Sequence, residues 1–158
     1  LEEETERLKH YIGLEALRLE NVFEYQIVTD PELQPGAVFI PAMIIQPYIE
    51  NALWHGLAPA EKEGLLSIHF VKINPFTLEI RIEDNGIGLA NSRLRKRADG
   101  HRSQALDIIR KRLELLSRQF KMYCHVVMQP LHPEVEERPG NVVIIQLPLV
   151  GREELDRL

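Results

Sequence analysis

Ile40-Pro41-Ala42-Met43-Ile44-Ile45-Gln46-Pro47-Tyr48-Ile49-Glu50-Asn51-Ala52-Leu53-Trp54-His55-Gly56 is the stretch whose reading decides the fold. Met43, Ile44, Pro47, Tyr48 and Leu53 recur at three- and four-residue steps, the spacing of one helical face. Pro41 suits a first helical turn, where a missing N–H has no partner to lose, and Gly56 suits a C-terminal stop. Pro47 falls inside the expected helix, where it removes a backbone bond and kinks the axis. Glu50 and Asn51 lie in the middle of this apolar run, with His55 one turn past Asn51. A buried acid beside an amide costs free energy unless its hydrogen-bonding capacity is filled. A metal ion carrying a phosphate, or an activated water, would fill it.

A second motif follows at Ile80-Arg81-Ile82-Glu83-Asp84-Asn85-Gly86-Ile87-Gly88-Leu89. A strand of period two runs into Asp84, and Gly86 and Gly88 then open a tight turn. Each motif alone has an ordinary reading, a turn for Asp-Asn-Gly and a solvated pair for Glu-Asn on a helix. Together, residues 46–56 followed by residues 84–88 resemble the N box and G1 box of the Bergerat ATP-binding fold. Histidine kinases, type II topoisomerases and mismatch-repair ATPases share that fold. The form with Gln46-Pro47 before Glu50-Asn51 and His55-Gly56 after it resembles the LytS/YehU type of sensor histidine kinase, over about residues 11–148.

The remaining composition agrees with one soluble domain. The chain has 158 residues, of which 44% are hydrophobic and 27% charged, enough for a single substantial core. A net charge of −5 argues against a nucleic-acid footprint, although Arg93-Leu94-Arg95-Lys96-Arg97 is locally basic. The lone Cys124 cannot form an internal disulfide and reads as a buried strand thiol, so a zinc site is not expected. No apolar run approaches the ~20 residues of a membrane span. The first residue is Leu1, already within a helical pattern, and the expectation is a fragment of a longer protein.

Residues 1–19 form an amphipathic helix with Leu8, Tyr11, Ile12, Glu15 and Leu19 on one side and acids in the first turn. Its segment 8–18 resembles the lead-in to the ATP-binding domain of LytS-type kinases. His10 reads as a solvated histidine rather than a phosphoacceptor. A strand is expected over 22–29, ended by Asp30-Pro31, and a turn at Gln34-Pro35-Gly36. Leu66, Ile68 and Phe70 alternate, as do Leu78, Ile80 and Ile82 after Asn74-Pro75, which predicts a hairpin delivering Asp84 to the sheet's end. Residues 90–100 lack an apolar face and read as a long loop. A helix begins at Ser103 or Asp107 and buries Leu106, Ile109, Leu113 and Leu116. Strands over 122–128 and 142–147 flank a Pro-rich excursion, and 152–158 is a charged tail.

The expected architecture is α+β, a two-layer α/β sandwich whose mixed, mainly antiparallel sheet is covered by helices on one face. Residues 1–20 are a helical lead-in from an upstream region, 21–150 the ATP-binding domain and 151–158 a tail. The resemblance implies ATP and Mg²⁺ as cofactors. It gives catalytic work to Glu50 and His55, the latter near the phosphates, and places the metal on Asn51. Asp84 would accept the adenine amino group, with Gly86, Ile87, Gly88 and Leu106 around the base. A cognate response regulator, an upstream phosphoacceptor helix and a homodimer are the implied partners of a membrane-bound full-length kinase. Two departures stand out: Ser103-Gln104-Ala105 replaces a Gly-x-Gly-Leu loop, and Trp54 replaces a common cation. They keep open a second possibility, a degenerate nucleotide-binding or regulatory module. An ATPase of the topoisomerase or mismatch-repair kind ranks third.

Overall fold

The computed structural model describes residues 1–20, 23–60, 63–88, 103–121 and 124–151; residues 90–100 and 152–158, for which a long loop and a charged tail were expected, lie outside them. Strand β3, Thr77–Asp84, shows how the sheet is oriented. Its burial alternates strictly, so Leu78, Ile80, Ile82 and Asp84 share the inner face. β2, Gly64–Asn74, is its antiparallel hairpin partner, with Leu66, Ile68 and Phe70 facing the same way. β5, Asn141–Pro148, pairs antiparallel on the other side and adds Val143, Ile145 and Leu147. β4, His125–Pro130, forms one edge. At the other edge β1, Phe23–Thr29, pairs parallel with β2. Among the described residues the order is β1-β2-β3-β5-β4, a mixed and mainly antiparallel sheet as the resemblance implies.

Helices cover the inner face. α1, Glu2–Arg18, buries Leu8 and Ile12, and α3, Ser103–Phe120, buries Ile109 and Leu113. The connection from β1 to the parallel β2 needs a crossover, and α2, Gln46–Asn51, lies within it. The outer face mixes apolar side chains with polar pairs: Gln26 bonds Ser67 at 2.9 Å and Gln146 bonds Glu79 at 2.8 Å. The layering follows from one apolar face per strand, which needs only one covering layer.

The helix of residues 41–56 is shorter than its periodicity predicts. Met43 has φ +63° and is exposed, which breaks any helix running back to Pro41. α2 starts at Gln46, and Pro47 stands in its first turn, where it loses no bond and kinks nothing. Gly56 is no stop either, because the chain continues as a π-helical turn, Ala52–Leu57. Ile44, Ile45, Tyr48, Ile49 and Leu53 fill the core. Cys124 is buried as expected, but it precedes β4 rather than lying in a strand.

Candidate functional site

Asp84 is the last residue of β3 and continues its buried row, so parity carries a carboxylate inward behind Leu78, Ile80 and Ile82. Those side chains gain about 2 kcal/mol each on burial, which outweighs the cost of one charged group and keeps the register. Asp84 is 4% exposed. Its Oδ1 accepts the Gly86 N–H at 2.9 Å and its Oδ2 accepts from Asn141 Nδ2 at 3.3 Å. Desolvation pushes its carboxyl up to about 6, opposed by the Gly86 and Asn141 bonds and by the charge of Arg138. A carboxylate has about four acceptor positions, so Asp84 keeps capacity for a donor from a ligand.

Glycines let three segments meet around that carboxylate. A Cβ on Gly56 would lie 2.7 Å from Asp84 Oδ1, and one on Gly86 would lie 2.3 Å from the Gly56 carbonyl. Gly140, at φ +61°, would put a Cβ 2.3 Å from the Asp84 carbonyl oxygen. The contacts are closed by Ile87 N–H to Gly56 O at 3.1 Å and Gly140 N–H to Gly86 O at 3.1 Å. Gly88, at φ +79°, adopts a left-handed turn against Pro139. Gly86, Ile87 and Gly88 are therefore brought to Asp84 as expected. Gly56, Gly140, Asn141 and Arg138 join them without having been anticipated. Gly56 arrives from the turn after α2, while the Asp84↔Asn141 strand pairing brings in Gly140, Asn141 and Arg138, and pairing partners are not visible in a linear sequence.

Gly56 also links this cluster to the α2 segment. Residues four apart are neighbours on a helical surface, which places Glu50 near Trp54 and Asn51 near His55 where α2 runs into the π turn. Glu50 is half-buried and one carboxylate oxygen accepts from Gln46 Nε2 at 3.1 Å. Asn51 and His55 are half-buried as well. The Arg18 guanidinium stacks 5.0 Å from the centre of the Trp54 ring and bonds the buried Glu15 at 3.0 Å. Leu106 is half-buried against the main core. His10 is exposed on α1, in keeping with a solvated histidine. Among the described residues no group of three or more His, Cys, Asp or Glu side chains could hold a metal by itself.

A buried acceptor beside a glycine-lined turn is thus joined through Gly56 to the helix bearing Glu50 and Asn51. The chain is 25% identical over 150 residues to an uncharacterized sensor-like histidine kinase of Staphylococcus epidermidis, covering 95% of this chain and 28% of that protein. It is 29% identical over 94 residues to sensor protein kinase HptS of Staphylococcus aureus, covering 60% of this chain and 17% of that one. The chain thus spans under a third of the length of these curated relatives. Among solved structures, the mycobacterial sensor histidine kinase MprB superposes with a TM-score of 0.60 at 18% identity, over 94% of both chains. The catalytic domain of histidine kinase ThkA superposes with a TM-score of 0.60 at 13% identity, over 94% of this chain and 92% of that one. No family model matches. The fold is that of histidine-kinase catalytic domains, and the sequence relatives are sensor histidine kinases.

Proposed function

We propose that this chain is the ATP-binding catalytic domain of a sensor histidine kinase of the LytS/YehU type. The observation that carries the proposal is Asp84, a buried carboxylate held open by close-packed glycines at the end of β3. Its free acceptor positions suit the amino group of adenine and oppose the oxo group of guanine. Gly86, Ile87 and Gly88 would let the base lie against the backbone, with Leu106 as an apolar wall. The γ-phosphoryl would leave the bridging oxygen of ATP for an imidazole nitrogen on a segment upstream of this chain. Glu50, oriented by Gln46, would accept the imidazole proton, and His55 would lie near the phosphates. Positioning and charge neutralisation supply most of the catalysis in such a transfer.

The donor set fits Mg²⁺. Glu50 and Asn51 are half-buried oxygen donors, and this cation needs only one or two protein oxygens beside phosphate and water. Asn51 would hold it through its side-chain oxygen, and the ion would neutralise the phosphate oxygens when bound. A response regulator would receive the phosphoryl group, and the full-length protein would dimerise through its upstream helix at a membrane. No helix among the described residues is long and apolar enough to cross one.

One observation favours a weaker binder with a regulatory role. α3 already starts at Ser103, so Ser103-Gln104-Ala105 is helical instead of a glycine loop around phosphate. The experiment separating the readings is phosphorylation of the full-length protein with γ-labelled ATP and Mg²⁺. Acid-labile, base-stable label that is lost in Asp84→Asn supports the kinase. Weak ATP binding without any such label supports the regulatory module.

A further inference from the structure

Residues 131–140, between β4 and β5, lie across the turn that follows Asp84. Arg138 Nε donates to the Asn85 carbonyl at 3.0 Å, and Nη2 reaches the Glu63 carbonyl at 3.4 Å. The Asn85 side chain ties the same junction, with Oδ1 accepting the Leu65 N–H at 2.8 Å and Nδ2 reaching Glu63 O at 3.4 Å. Pro139 packs on Gly88, and the His132 N–H closes the loop on the Pro139 carbonyl at 2.7 Å. Arg138 is half-buried although the neighbouring Glu134, Glu136 and Glu137 are exposed. Its planar fork holds the two carbonyls through separate nitrogens in a fixed geometry, which the single ammonium of a lysine does not reproduce. The turn it grips is the one that aims the Asp84 carboxylate.

We propose that Arg138 is a positioning residue of the nucleotide site, bracing residues 84–88 from the β4–β5 loop so that Asp84 keeps its direction toward the base. The inference rests on Asp84 being the base acceptor. Asp84 is faced by Gly56 from the π turn, Gly86 from its own turn, Asn141 from β5 and Arg138 from the loop. Of these, Arg138 alone carries charge, and that charge favours the ionised, accepting form.

The test compares Arg138→Met and Arg138→Lys with the parent chain. ADP binding is followed by calorimetry from pH 5 to 8, and the ligand-free chain by the NMR titration of Asp84 and the exchange of the Gly86 and Ile87 amides. Losing a charged hydrogen bond at this brace weakens ADP binding in Arg138→Met by about tenfold. The pH midpoint of binding moves upward and amide exchange quickens. Arg138→Lys keeps the parent midpoint, because the charge remains, but recovers only part of the affinity. Unchanged ADP affinity in Arg138→Met, even with a lower urea midpoint, overturns the proposal and leaves Arg138 a plain structural residue. If the parent binds no nucleotide while Arg138→Met still shifts the Asp84 titration and loosens the turn, the brace stands. The reading of Asp84 as base acceptor then falls instead.

Discussion

Asp84→Asn should separate function from stability in opposite directions. Burial pushes the Asp84 carboxyl up to about 6 in the fold, against 3.8 for the free group. A raised folded value means that the folded state holds its proton longer than the unfolded chain. The associated stability is fully present below about pH 4 and is lost as pH rises through about 6. Two pH units correspond to about 3 kcal/mol. The ligand-free parent therefore carries that penalty at pH 7.5, and the asparagine variant does not. An amide can still accept the Gly86 N–H, while Asn141 has to turn its oxygen toward the new amide nitrogen, at a cost of about 1 kcal/mol. At pH 7.5 the variant should be more stable by about 2 kcal/mol, an advantage that disappears at pH 4. It should also lose nearly all ADP binding. Urea unfolding of both proteins at the two pH values, with calorimetry at pH 7.5, measures this; other titrating groups cancel in the difference. A variant less stable than the parent at pH 7.5, with ADP still bound, would refute the reasoning and make ionised Asp84 a structural anchor.

The neighbouring residues give sharper and smaller effects. Gly86→Ala places a methyl group 2.3 Å from the Gly56 carbonyl, a backbone atom that cannot rotate away. It should lower the unfolding free energy by at least about 3 kcal/mol, and a urea midpoint equal to the parent's would contradict the packing. Asn51→Ala should remove the Mg²⁺-dependent gain in ATP affinity and leave metal-free ADP binding within about twofold. An equal loss in both titrations would make Asn51 a residue of helix structure instead.

The strands and their inner faces were legible because period-two patterns survive in the sequence whatever the tertiary setting. The row Leu78, Ile80, Ile82 places Asp84 inward by parity alone. The α2 segment was less legible. Met43 looks apolar and periodic, yet its left-handed backbone puts it on the surface, and that conformation has no signal in a methionine. Pro47 was readable in principle: a proline is most at home in a first helical turn, which argued for a start at Gln46 rather than Pro41. Gly56 looked like a stop but is small because Asp84, distant in sequence, lies against it. Asn141 and Arg138 could not be found locally, since each reaches Asp84 only through the pairing of β3 with β5 and the fold of residues 131–140. The parallel pairing of β1 with β2 has the same origin, because strand direction follows from the crossover and not from the strand itself.

The most direct measurement is calorimetric titration of this chain with ATP and ADP, each with and without Mg²⁺, beside GTP as the control. Adenine nucleotides should bind at one site with affinity that falls as pH drops through about 6, where Asp84 gains its proton. GTP should not bind, because its oxo group meets the carboxylate where adenine offers a donor. Binding of GTP equal to that of ATP, or adenine-nucleotide affinity unchanged between pH 5 and 8, would contradict the assignment of Asp84 as the base acceptor.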